Sequence, residues 1–296
     1  MKICISHHPA RGARREALVD ASPRPAPRAP RPDSAFTMIE IAISLAIIGF
    51  ALVAIIGVLP LGMNTQRDNR EETVINQDAT VLLEVIRGAA RGADNLTNSV
   101  YAVTNTWTHY KSDGSFDKTR TDGYTYPTAS FDGTANDLYR LTNGANIVGV
   151  LTIPEFTDDN FAPTNNIFSG GYSNHIVAYV RSISGLAAEK PPQNNQIMQE
   201  GTFTYRLFCV NAPVAVDTNL FALPPTDPRR VYADQLSGNL HELRLTFLWP
   251  QLPNGNLGPS RQTFRTTVAG QLTRTNYFGS GQQLYFYRSQ SFTNAP

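Results

Sequence analysis

Few side chains in this sequence combine a reactive type with a useful spacing. Glu40 is the first. It is a carboxylate at the head of an apolar run, FTMIEIAISLAIIGFALVAIIGVL, from Phe36 to Leu59, and 19 uncharged, mostly apolar residues follow it. A charge at the centre of a membrane helix costs about 2.5–3.5 kcal/mol on insertion scales, and less near the interface. An ionisable group there marks a functional position that needs a partner. The dipole of the first helical turn offsets part of the cost. A cut before Phe36 would create a new α-amino group four residues from Glu40, a ready partner on this chain or a neighbouring one. The bland reading is an interfacial glutamate that simply starts the helix.

The second group is acidic: Asp113, Asp117, Asp122 and Asp132, then Asp158, Asp159 and Asn160. Hard oxygen ligands suit calcium. No EF-hand spacing is present, and Asp-Gly, which occurs three times in residues 111–138, more often makes a plain turn. These are read as turns, with no cofactor and no metal expected and calcium kept as the alternative. His109, His175 and His241 stand at non-motif spacings and read as scaffold or surface residues. There is no G-x-S-x-G, H-E-x-x-H or P-loop, so no catalytic residue is assigned and the chain reads as a non-enzyme. Cys209, inside the apolar segment TFTYRLFCV, reads as a small buried hydrophobe. Cys4 lies before the expected cut, so no intrachain disulfide is expected in the mature protein.

The elements around these residues have distinct textures. Residues 1–35 hold seven Lys/Arg against three acids, a net of +4, which leaves −3 for the remainder. The prolines in this segment forbid a stable helix. A basic start and a mildly acidic body do not suit nucleic-acid binding. They suit a basic segment held on the cytoplasmic side of a membrane, with the body exported. The apolar run has the length to span, since about 20 residues at 1.5 Å each cross a core of roughly 30 Å. No small-x-small site follows it, unlike a secretory signal, so the helix would stay attached to the body. Pro60 predicts a kink or break.

Helical periodicity then resumes. Ile75, Ala79, Leu82, Leu83, Ile86 and Ala90 share one face, with Asn76, Thr80, Glu84, Arg87 and Arg91 opposite, and Gly88 and Gly92 mark where the helix frays. From about residue 99 the pattern changes to strands, at 99–107, 146–153, 175–183, 202–210, 240–249, 261–270 and 282–289. Leu243, Leu245, Phe247 and Trp249 alternate against Glu242, Arg244 and Thr246, which describes an antiparallel strand with one face buried. The Pro, Asn-Gly and Gly-Pro signals after it predict a long-looped hairpin with 261–270. Residues 111–138 read as loop. The expected organisation is a basic, Pro/Arg-rich, cleaved leader over 1–35, a transmembrane helix over 36–62, an amphipathic helix and linker over 63–98, and a β-rich head over 99–296. The fold class is α+β: a long N-terminal helix, membrane-spanning in its first half and amphipathic in its second, packed on an antiparallel sheet.

The stretch Ser34-Ala35-Phe36-Thr37-Met38-Ile39-Glu40 with its apolar helix closely resembles the N-terminal segment of type IV pilins and type II secretion pseudopilins. Their usual form is a Gly, then Phe-Thr-Leu-Ile-Glu, then an apolar helix. The resemblance implies cleavage by prepilin peptidase between Ala35 and Phe36, methylation of the new amino terminus at Phe36, and a role for Glu40 in guiding subunit docking. Gly49 falls where many members carry glycine. There are departures: Ala35 stands where Gly is usual, a 35-residue leader is long for the family, and Pro60 lies three residues beyond the helix proline frequent in major pilins. The resemblance covers residues 31–92; beyond them it is architectural, and implies a pilin-like head. HELRLTFLWP and RQTFRTTVAG look like the paired strands of minor pseudopilins. ALVAIIGVLPLGMNTQRD also resembles the pilin-like proteins of the Verru_Chthon cassettes.

The function this implies is a structural, minor subunit of a type IV pilus-like or type II secretion pseudopilus filament. Its partners would be prepilin peptidase, other pilin or pseudopilin subunits and the inner membrane. It would sit single-pass in the inner (cytoplasmic) membrane with its head outside the cytoplasm, then in a pilus or pseudopilus in the periplasm or at the cell surface. The alternative is a single-pass anchored binding module, whose sheet head recognises sugar or protein and forms no filament.

Overall fold

The computed structural model describes residues 36–125, 135–164, 170–184, 203–252, 254–277, 282–288 and 292. The chain divides into two units, Met1–Pro60 and Leu61–Pro296, and helix α1 (Met38–Arg87) contributes to both. In the first unit the helix is apolar on all sides, so it has no polar face to turn outward and no seam to turn inward. Every residue from Phe36 to Pro60 is exposed. This is one helix long and apolar enough to cross a membrane. The helix runs through Pro60 without interruption, so of the two outcomes open there a break is excluded. Proline removes one hydrogen bond from the ladder, and the turns on either side keep theirs.

The second unit is α+β. The rest of α1 buries Ile75, Asp78, Ala79, Leu82, Val85 and Ile86, the one-face spacing expected of an amphipathic helix. Fully burying a Leu or Ile stabilises by about 1.5–3 kcal/mol. Asp78 is the odd member, with no exposed surface. It accepts from Ile183 N at 2.9 Å, Ser184 N at 2.8 Å, Ser184 Oγ at 2.5 Å and Tyr205 OH at 2.9 Å. Burial raises its pKa above the usual carboxylate range, and the four donors hold that rise back.

After α1 come α2 (Leu96–Ser99), β1 (Val100–Tyr110), β2 (Phe116–Thr125), β3 (Asp137–Arg140), α3 (Gly144–Leu151), β4 (Phe156–Thr157), β5 (Gly171–Arg181), β6 (Thr204–Pro213), α4 (Pro228–Asn239), β7 (Leu240–Gln251), β8 (Leu257–Ala269), β9 (Gln271–Tyr277) and β10 (Gln282–Arg288). The main sheet has the order β3-β2-β1-β5-β6-β7-β8, with β4 paired to the start of β5, and β9 and β10 form a separate hairpin. The sheet is mixed rather than antiparallel, because β2 and β3 run parallel. Asn136 sets that register. Its Oδ1 accepts from Thr121 N at 2.8 Å, and its own N–H donates to Thr121 O at 2.7 Å.

Other expectations change as well. Residues 146–153, expected as a strand, lie mostly in helix α3. Asn143 caps it, its side chain accepting from Asn146 N, and all but one of its residues are buried. An apolar run buried on every side carries no period that separates helix from strand. Residues 111–138, expected as loop, contain β2 and the start of β3. Asp113-Gly114 is a true turn, with Gly114 at φ 78°. Asp122-Gly123 is not: it lies inside β2, where a Cβ on Gly123 would fall 2.7 Å from Leu138 Cδ2 of β3. Asp132-Gly133 lies outside the described residues. The β7–β8 hairpin forms as expected, but with a short loop, since pairing reaches Gln251 and Leu257. Helix α4, capped by Asp227 with Pro228 in its first turn, and strand β9 were not expected.

The inner face of the sheet is read as rows across the strands. One row joins Tyr124, Val103, Ala178, Leu207 and Phe247, all apolar or aromatic. The next joins Asp122, Asn105, Ile176, Cys209 and Leu245, and turns polar at its β2–β1 end. The row beyond begins Arg120, Trp107, Asn174. The core therefore ends in a polar, aromatic corner.

Candidate functional site

The residues singled out at the N-terminus fall in the first unit. Ala35 lies outside the described residues. Phe36 and Thr37 precede α1, and Thr37 with Glu40 forms a capping box. The Glu40 carboxylate accepts from Thr37 N at 2.8 Å and from Thr37 Oγ1 at 2.9 Å, while Glu40 N donates to Thr37 Oγ1 at 3.4 Å. This satisfies two of the backbone donors that any helix start leaves unmet. The charge thus has a local partner within its own chain. The T-x-x-E spacing at the head of an apolar run is the signal that could have predicted it. No atom lies within 4 Å of where a Cβ on Gly49 would stand, so a neighbouring helix could approach closely there.

The acidic residues do not gather. Asp113 caps its own turn, accepting from Ser115 Oγ at 2.6 Å and from Ser115 N at 2.9 Å, which lowers its pKa. Asp117 and Asp159 take opposite nitrogens of His109, Nδ1 at 2.9 Å and Nε2 at 3.1 Å. Asp158 accepts from Asn160 N at 2.9 Å and Ala162 N at 2.8 Å. Asp132 lies outside the described residues. Among the described residues no three His, Cys, Asp or Glu side chains form a group that could hold a metal ion. Cys209 is buried, and burial pushes its thiol far above its ordinary pKa, which makes it inert. His175 lies beside Phe208 at 5.4 Å, and His241 is buried beside Tyr287.

What sequence reasoning missed is the polar corner. It is a cleft of about 270 Å³ between the inner face of β5-β1-β2, the β9–β10 hairpin and the segment 153–161. Its polar network has one consistent orientation. Pro154 O can only accept, so Asn174 presents Nδ2 to it at 3.0 Å, which turns Asn174 Oδ1 toward Asn105 Nδ2 at 3.1 Å. Asn105 Oδ1 is then left without a partner, on a residue only 6% exposed. A buried acceptor left unmet costs about 1–3 kcal/mol. Asp122 Oδ2 accepts from Trp107 Nε1 at 2.8 Å and Gln282 Nε2 at 3.4 Å, and Tyr124 OH donates to Gln282 Oε1 at 2.7 Å. Burial raises the Asp122 carboxyl, and these two donors draw it back.

The aromatic wall is held as firmly. Tyr172 stacks on Phe161 at 5.1 Å and 14°, and meets Trp107 edge-on at 5.6 Å. Phe161 adopts φ 59°, which is strained for a bulky side chain. Tyr285 OH donates to its carbonyl at 2.7 Å, and Arg274 reaches the carbonyl of Asn160. The alternation Val103, Asn105, Trp107, His109 in one strand was the available signal: two polar side chains and a Trp on the face that carries a core valine.

Comparison with protein families, characterised proteins and solved structures finds no match for this chain.

Proposed function

We propose that this protein is a non-enzymatic, membrane-anchored structural subunit of a type IV pilus-like or type II secretion pseudopilus filament, and a minor one. The observation that carries this reading is an apolar helix with no charged residue from Ile41 to Met63 and every residue there exposed, opened by a capped Glu40. A helix of that kind needs lipid or other helices around it. Prepilin peptidase cuts between Ala35 and Phe36, and Phe36 becomes the methylated N-terminus. The helix is held in the inner membrane, with the head outside the cytoplasm. It then packs with the helices of other pilin or pseudopilin subunits, where Gly49 permits close approach. Glu40 keeps its Thr37 cap and offers its remaining lone pairs to a neighbouring α-amine. The α+β head follows the helix as in the family it resembles.

Mass spectrometry of the protein from its membrane tests the first step. The expected N-terminus is N-methyl-Phe36; an intact leader, or a cut at another bond, overturns the reading. One substitution tests the second. Glu40→Gln keeps an acceptor for the Thr37 cap and removes the charge. It is expected to insert normally and to enter filaments poorly.

The capping box favours a second reading. It explains Glu40 without any neighbour, as an anchored binding module would require. In that case Glu40→Gln behaves as wild type and the leader is retained.

A further inference from the structure

We propose that the cleft in the head binds a single neutral sugar ring. The site lies wholly within the second unit and is independent of how the first is processed or assembled. The volume of about 270 Å³ sits just under the roughly 300 Å³ at which pockets for drug-sized ligands begin, which suits one ring rather than a chain of them.

The polar groups choose the ligand. Asn105 lines the cleft, and its buried Oδ1 is an unmet acceptor. Both bonds to Asp122 fall on Oδ2, which leaves Oδ1 as a second acceptor. The second amide hydrogens of Asn105 and Asn174 supply donors beside them. A hydroxyl donates and accepts at once, so neighbouring hydroxyls on a ring match this alternation. An ammonium group only donates, and would leave the amide hydrogens unmet. Trp107, Tyr172 and Tyr285 line the cleft and give it an aromatic wall.

Charge excludes the anionic sugars. Among the described residues, Asp122 is the only charged one lining the cleft. Of the nearby cations, Arg120 is paired with Asp137 at 2.7 Å, Lys118 lies over the Trp107 ring, and Arg274 is bonded to the carbonyl of Asn160. The site is also built in advance. The Asn174–Pro154 bond, the Tyr285 bond to Phe161 and the His109 bridge between Asp117 and Asp159 fix its walls, so little ordering is left for the ligand to impose.

The test uses the full chain in nanodiscs, titrated with glucose, galactose, mannose and N-acetylglucosamine, and read by saturation-transfer NMR and tryptophan fluorescence. At least one sugar is expected to saturate, with a Kd of about 1 mM. Its affinity should not change between low and high salt, because no charge pairing is involved. Asn105→Ala is expected to weaken it at least tenfold. If that variant does not fold, Gln282→Ala, which unseats Asp122 from a partly exposed position, is expected to weaken it severalfold. Immobilised glycosides of the bound sugar separate two sources. Capture of the chain, competed off by the free sugar, marks the end of a glycan; binding without capture marks a free sugar. Either supports the site. No saturation by any of the four sugars up to about 50 mM overturns it. So does sugar binding unchanged by both substitutions, or salt-sensitive saturation by tetramethylammonium chloride in place of the sugars.

Discussion

Two of the carboxylates on helix α1, Glu40 and Asp78, stand under opposite conditions. Glu40 is exposed, and its partner is the residue three positions before it. Asp78 is fully buried, and its donors lie 105 to 127 residues away. The first charge is satisfied by local sequence alone, so the helix around it is left to meet whatever surrounds it. The second is satisfied only when the fold is complete, and it locks the helix to the loop at 182–184 and to β6. The same helix is thus a free apolar surface at one end and a core element at the other.

Substitutions should separate these two conditions. The largest effect is expected at Asp78. Asp78→Ala strands the Tyr205 hydroxyl and two backbone N–H groups without an acceptor, and should lower the unfolding free energy of the head by about 4 kcal/mol. Glu40→Ala should leave that quantity within about 0.5 kcal/mol. Urea titration of the full chain, followed by near-ultraviolet circular dichroism, measures both. Equal losses at the two positions would break the contrast.

Leu82→Ala comes next. It empties a site with no exposed surface and should cost about 3 kcal/mol in the same titration, whereas Leu52→Ala, on the open stretch, should cost the head nothing measurable.

A pH titration tests the core by a different route. Burial pushes the His241 imidazole down from 6.5 to about 4. As the pH falls through 6.5 the unfolded chain takes up a proton that the folded chain refuses until about 4. Stability should therefore drop between these two values and level off below them. The share due to His241 is about 3 kcal/mol, at 1.36 kcal/mol per unit. His241→Gln should remove this share of the slope and leave the rest.

The smallest effect is at the helix start. Thr37→Ala removes the hydroxyl of the capping box and should weaken the first turn by about 1 kcal/mol. Faster hydrogen exchange confined to the amides of residues 37–41 would report it, with the head unchanged.

Legibility follows the same division. The face Ile75, Ala79, Leu82, Ile86 could be read because a half-buried helix alternates with a period near 3.6. Leu243 to Trp249 could be read because a half-buried strand alternates with a period of two. The run at 146–153 could not, since it is buried all round and its cap, Asn143, stands just before it. Strand β2 was hidden by its composition. Its first half, Phe116 to Arg120, is charged and exposed, and Asp122-Gly123 imitates a turn. Asp78 was invisible for a related reason: one acid on an apolar helix face looks like an error in the period until its donors are in place.

By itself the sequence determined the start of helix α1, the apolar stretch that follows it and the burial faces of the most regular elements. These depend on residues a few positions apart, whose geometry a helix or strand sets in advance. Only the tertiary structure decided the mixed sheet, the Asp78 lock and the cleft. Asp122 and Gln282 are 160 residues apart, and Asn105 and Asn174 are 69 apart. Nothing in local spacing brings such groups within hydrogen-bonding distance; strand order and register do.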